Sequence, residues 1–245
     1  MYIWSIVLIL ALVIISSYTL HAFPIALIMA VITASAVEIL IRKIYIKHAF
    51  KVPWSGIITG LIIGSIAPIN SPLLLVAAAA MMAIVSKFFI QYKSSNIFNP
   101  ATLGLIVALP VFGLGDEWWV ASNYNILGMA VTFTPILIIL AYEAKRIPTA
   151  LSFVAASLIL GIAIGGVTSL GNVTALLFSI NYFFAFVMLI EPKTSPNGRY
   201  MQMAYGSAIS VLFMAFALLA IPYSFLVALL VGNVSYAVYR KYGKR

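Results

Sequence analysis

Two short polar stretches hold most of the side chains that could do chemistry in this chain. The first, Ser94-Ser95-Asn96-Ile97-Phe98-Asn99-Pro100-Ala101-Thr102, sets two Asn, two Ser and a Thr ahead of an apolar run. The second, Glu191-Pro192-Lys193-Thr194-Ser195-Pro196-Asn197-Gly198-Arg199, does the same and adds two Pro and two cations. A helix that starts after such a stretch presents unpaired N–H groups and the positive end of its dipole, which favour an anion or a carbonyl-rich ring. Asn, Ser and Thr are also ordinary N-caps, and Pro an ordinary first helical residue, so capping is the plain alternative. A cap needs one such residue, and each loop holds several. Asn96, Asn99, Thr102, Lys193, Thr194 and Arg199 are therefore the candidate contacts to a polar ring or headgroup.

The remaining ionisable groups suit structure better. Glu38 stands four residues before Arg42, the spacing of an ion pair along one helix face at the membrane interface. Glu143, beside Lys145 and Arg146, reads as a solvated helix end. His21 and His48 are the only histidines and are expected on opposite faces of the membrane, so they cannot ligate one haem from both sides. Haem within this chain is not expected. The chain has no cysteine, which excludes thiolate-held clusters, disulfides and catalytic thiols.

The elements that must position these loops follow from composition. Of 245 residues, 64% are hydrophobic and 8% charged, where a soluble domain carries roughly 25% charged residues. The expected fold is all-α: one polytopic integral membrane domain over residues 1–245, embedded in a lipid bilayer, with no soluble lobe. The N-terminal apolar stretch lacks a basic leader and reads as a retained first helix. Apolar segments fall at Ile3–Leu20, Phe23–Leu40, Gly56–Ala67, Leu73–Phe89, Ala101–Gly115, Tyr124–Tyr142, Pro148–Val167, Val173–Ile190, Met201–Ile221 and Tyr223–Tyr239. That makes about ten, of which Gly56–Ala67 and Ala101–Gly115 are short for a crossing of about 20 residues.

With both termini on the cytoplasmic side, all 14 basic residues fall at inner loops or inner helix ends, and Asp116-Glu117 lies outside. This is the positive-inside pattern of a multi-pass cell-membrane protein, so the net charge of +9 orients the chain and does not signal nucleic acid. The order of short Gly-rich helix, turn, longer helix, polar loop and helix over Gly56–Pro110 recurs from Gly161 to Leu218. An odd number of crossings separates the two, so the repeat would be inverted, an arrangement that places ligands where the halves meet, although Gly and Pro are also simply common in membrane helices.

Thr59-Gly60-Leu61-Ile62-Ile63-Gly64, Pro68, Pro72, Lys87 and Asn96-Ile97-Phe98-Asn99-Pro100-Ala101-Thr102-Leu103-Gly104 together resemble the signature of one membrane family. Phe183-Phe184-Ala185-Phe186-Val187-Met188-Leu189, running into Glu191-Pro192-Lys193-Thr194-Ser195-Pro196, extends the likeness over roughly residues 55–215. The family contains the B subunit of the sodium-pumping NADH:quinone oxidoreductase and the D subunit of the Rnf ferredoxin:NAD oxidoreductase. The resemblance implies a urea-transporter-like inverted repeat and an electron-transfer membrane subunit holding flavin and lying near the quinone step, working with other membrane and redox subunits. One feature departs from it. The family's long outer loop carries a threonine esterified to FMN, whereas here that loop is Gly115-Asp116-Glu117-Trp118-Trp119-Val120-Ala121-Ser122-Asn123, without threonine.

Covalent FMN is accordingly not expected. Thr174 is the one outer-side threonine in a faintly similar setting, and Trp118 and Trp119 read first as interfacial belt residues. A non-covalent flavin or a quinone would meet the six candidate residues, with Arg199 neutralising a reduced, anionic form. Two other functions stay open on the residues alone. One is a transporter or channel for a neutral solute, since little charge lies within the membrane segments. The other is a purely structural subunit of a respiratory supercomplex.

Overall fold

The computed structural model describes residues 2–46, 51–93, 95–121, 133–165, 175–177 and 179–243. His48, Ser94 and Thr174 lie outside these residues, as do 124–132 of Tyr124–Tyr142 and part of Val173–Ile190. The fold is nearly all-α. The helices are α1 (Tyr2–Leu20), α2 (Ile25–Ile41, prolonged by the π-helical turn Arg42–Ile46), α3 (Trp54–Ile66), α4 (Leu73–Phe89) and α5 (Pro100–Val111). They continue with α6 (Thr134–Glu143), α7 (Ile147–Gly165), a π-helical turn Phe184–Met188, α8 (Arg199–Leu218) and α9 (Ser224–Tyr242). A two-residue hairpin, β1 (Gln91–Tyr92) against β2 (Ser95–Asn96), is antiparallel with Gln91 opposite Asn96. The chain forms two compact units, Met1–Ile136 and Leu137–Arg245, and the division falls within α6.

Four helices, Ile3–Leu20, Ile25–Tyr45, Ile147–Gly165 and Arg199–Leu218, are long and apolar enough to cross a membrane. Their outward faces fit that role, since Trp4, Ile14, Ile32, Ile159, Ile164 and Val211 are exposed. At 13 and 12 residues, α3 and α5 are as short as their sequences suggest. At 1.5 Å per residue they reach about 20 Å, against a hydrocarbon core of about 30 Å.

In the first unit α2 and α3 run antiparallel at close range, because α3 offers a stripe of glycine every fourth residue. Gly56 faces Ala34 and Glu38, Gly60 faces Ala30 and Val31, and Gly64 faces Leu27. A Cβ at Gly60 would lie 2.5 Å from the Val31 Cα, so only hydrogen fits there. Small residues at one face let helix backbones approach, which is how helices associate where lipid removes the hydrophobic drive. Gly104 packs α5 against Ala79 of α4 in the same way.

The C-terminal end of α3 leaves carbonyls without helical partners, and the short outer loop supplies them. Ile66 O accepts from the Glu117 and Trp118 backbone N–H groups at 2.8 and 3.2 Å, and the Glu117 carboxylate accepts from Ile69 N at 2.8 Å. Trp119 is buried and donates its indole N–H to Gly64 O at 2.7 Å, while Trp118 donates to Asp116 at 2.5 Å. Ser16 of α1 reaches the same loop through Val120 O at 3.1 Å. The interfacial-belt reading of the two tryptophans is thus corrected: both rings are buried in the first unit, that of Trp119 against the end of α3 and that of Trp118 bonded within its own loop.

In the second unit α7 and α8 run parallel. Gln202 meets Lys145 O, Gly206 lies on Thr149 and Phe153, and Ser157 shares a 2.8 Å hydrogen bond with Ser210. Contacts therefore advance in the same direction along both helices. Asn233 of α9 donates to the Tyr205 hydroxyl at 2.8 Å, and Phe213 stacks on Phe225 with centroids 3.8 Å apart.

Replacing Gly60 with Leu forces a side chain into the Val31 backbone and is expected to cost at least about 1–3 kcal/mol. Gly115→Ala, where a Cβ meets nothing within 4 Å, should change stability by no more than about 0.5 kcal/mol. Thermal loss of monodispersity in detergent reads both. Equal melting of the two variants would refute close packing of α2 on α3.

Candidate functional site

The first candidate loop lies where the hairpin feeds α5. Asn99 takes an extended conformation at the N-cap, and its Oδ1 accepts from Thr102 N at 3.1 Å, with Pro100 opening the helix. Capping therefore accounts for Asn99. Asn96 is buried on β2. Thr102 is 0% exposed, and its Oγ1 is buried with no hydrogen-bond partner. A threonine hydroxyl in a helix ordinarily bonds a carbonyl one turn back, as Thr59 does here to Ser55 O at 2.9 Å. The loop thus joins Asn99 to Thr102, buries Asn96 just before them, and leaves the Thr102 hydroxyl without a partner.

The second loop follows the π-helical turn Phe184–Met188. Ser195 Oγ donates to Glu191 O at 2.7 Å, and Thr194 Oγ1 lies 3.4 Å from the same carbonyl and from the Glu191 carboxylate. Both side chains are buried in this local turn, whereas Lys193 and Arg199 are exposed. Thr194 therefore holds the loop's shape, and Lys193 and Arg199 supply its free charge.

Arg146 was the residue the sequence pattern misplaced. It reads as part of a solvated helix end but is buried, donating to Ser195 Oγ at 3.0 Å, to Asn197 Oδ1, and to Lys145 O at 3.1 Å. Burial pushes its guanidinium below the ordinary value, with Tyr236 acting in the opposite direction. It clamps the loop before α8 to the turn before α7. Beside it, Tyr142, Lys145, Pro148, Asn197, Arg199 and Gln202 line an open cleft of about 340 Å³.

A second correction concerns Glu38. It is 0% exposed, not placed at an open interface. Its Oε1 takes two bonds from Arg42, at 2.6 and 3.0 Å, and its Oε2 lies 3.3 Å from Lys87 Nζ on α4. Lys87, also buried, donates to Ser55 at the start of α3. The cluster therefore ties α2, α3 and α4 at one end of the first unit. The i,i+4 spacing showed the Arg42 half. Nothing local in the sequence marks the Lys87 half, 49 residues on.

Among the described residues, no group of three His, Cys, Asp or Glu side chains could hold a metal ion. A scan against protein-family models finds no match to the chain, and a search of curated proteins finds none either.

Removing one member of a buried ion cluster strands the others and costs about 3–5 kcal/mol. Glu38→Ala is therefore expected to lower the melting temperature in detergent strongly, and adding Lys87→Met should recover more than half of the loss. Simple addition of the two single effects would mean that Glu38 and Lys87 do not interact.

Proposed function

We propose that this chain is a membrane subunit of an electron-transfer complex, similar to the Nqr B and Rnf D subunits, and that it binds a non-covalent flavin or a quinone. The carrying observation is the Thr102 hydroxyl, buried without a partner in the loop that also buries Asn96 and Asn99. A membrane protein seldom buries so many polar groups at a helix entry without a use for them. A carbonyl of an isoalloxazine or quinone ring would accept from that hydroxyl. Asn96 would frame the ring's polar edge while Asn99 holds the turn that carries Thr102, and Lys193 and Arg199 would offer charge at the corresponding loop of the second unit, whose shape Thr194 holds. The cofactor supplies the redox chemistry and the protein supplies orientation and charge. Further redox and membrane subunits would complete the electron path.

The accompanying topology is ten membrane segments in an inverted repeat, with both termini cytoplasmic. The placement of basic residues supports it, as does the parallel run of α7 and α8, which requires a return through the membrane between them. The lack of native cysteine makes a direct test simple. A cysteine replacing Lys193 should react with an impermeant maleimide only from the cytoplasmic side, and one replacing Gly115 only from outside. The reverse labelling, or both from one side, would refute the arrangement.

An oxidised-minus-reduced absorbance spectrum of the protein in mild detergent tests the cofactor. Flavin that leaves with the supernatant on acid precipitation is expected, with occupancy falling several-fold in Thr102→Val. Flavin retained in the pellet would instead indicate a covalent bond. Absence of both flavin and bound quinone would overturn the redox reading in favour of a scaffold or a neutral-solute transporter.

A further inference from the structure

We infer that the cleft at the start of α7 and α8 is a binding site for a phosphoester headgroup that carries a free hydroxyl. Three observations converge on it, and none depends on the electron-transfer reading.

The first is charge with room around it. Lys145 and Arg199 are exposed cations on one cleft of about 340 Å³. Their side chains make no ion pair among the described residues. Helix α8 opens at Arg199 itself, and its N-cap, Gly198, has no side chain to satisfy the first N–H groups. In α5, by contrast, Asn99 performs that task. The first-turn N–H groups of α8 and its dipole therefore add to the two cations in favouring an anion.

The second is an unmet acceptor. Gln202 lines the cleft and is buried, and its amide nitrogen is already committed to Lys145 O at 3.1 Å and Asn197 O at 3.0 Å. These bonds fix which end of the amide is oxygen. That oxygen, Oε1, is buried with no hydrogen-bond partner. It cannot serve a phosphate oxygen, which is also an acceptor, but it suits a hydroxyl next to the phosphate.

The third is position. α7 and α8 are parallel, and both are long and apolar enough to cross a membrane. A cleft at their shared N-terminal end lies at the depth of lipid headgroups. Tyr142, Ile147 and Pro148 give it an apolar wall on which a glycerol backbone or the start of an acyl chain can rest. These features favour a lipid of the phosphatidylglycerol type over a soluble phosphoester.

The test uses the purified full chain in detergent with four probes: dioctanoyl phosphatidylglycerol, phosphatidylethanol and phosphatidylcholine, and glycerol 3-phosphate. Binding is read by native mass spectrometry and by the rise in melting temperature. Phosphatidylglycerol is expected to bind at least tenfold more tightly than phosphatidylcholine, and more tightly than phosphatidylethanol, which has the charge without the hydroxyl. The double variant Lys145→Gln/Arg199→Gln alters two exposed side chains and should fold normally, yet lose the preference for the anionic lipids. Competition by glycerol 3-phosphate that disappears in this variant would identify a soluble phosphoester as the source. Its failure to compete would identify the lipid. Equal affinity for phosphatidylglycerol and phosphatidylcholine, or an unchanged preference in the double variant, would overturn the site. Equal affinity for phosphatidylglycerol and phosphatidylethanol would overturn the role of Gln202.

Discussion

A helix surrounded by lipid gains no hydrophobic energy by touching another helix, because acyl chains are as apolar as leucine. Whatever holds such helices together must come from close backbone contact and from polar groups that have no better partner. This protein follows that constraint in both units. Gly56, Gly60 and Gly64 bring α3 onto α2, Gly104 brings α5 onto α4, and Gly206 brings α8 onto α7. Exposed isoleucines, valines and leucines cover the outer faces and contribute little to specificity.

The polar contacts do the pinning at helix ends. In the first unit Glu38 joins Arg42 and Lys87, and Lys87 reaches Ser55, so three helices share one charged cluster. In the second unit Arg146 links Lys145, Ser195 and Asn197, so the turn before α7 is tied to the loop before α8. At the other end of α3 the loop 115–121 closes the free carbonyls with its own N–H groups and a buried indole. Each device satisfies groups that a bilayer would otherwise leave without partners. The Thr102 hydroxyl and the Gln202 amide oxygen, like the hydroxyls of Ser17, Ser35 and Thr149, are buried without a hydrogen-bond partner.

That contrast gives the two candidate loops different characters. Asn99 and Thr194, which look like ligand contacts in sequence, hold their own loops in shape. Thr102 and Arg199 are the members left with capacity for a partner, one a buried hydroxyl, the other charged and open. A ring carbonyl suits the first and an anion the second, which is why the two sites are assigned different ligands.

Hydropathy and charge placement by themselves determined that the chain is helical, where most helices begin and end, and that α3 and α5 are short. These are one-dimensional properties: the length of an apolar run and the residue types at its edges. The glycines at 56, 60 and 64 were legible for the same reason, since spacing along one helix fixes a face, whereas the cap at Asn99 showed in sequence only as the plain alternative to a ligand contact. Only the tertiary structure decided that Glu38 meets Lys87, that Arg146 is buried, and that Trp119 points inward to Gly64. Each depends on two segments about 50 residues apart, and a long polar side chain at a helix end can reach water or a neighbour equally well in sequence. Which it reaches is set by how closely the adjoining backbones pack.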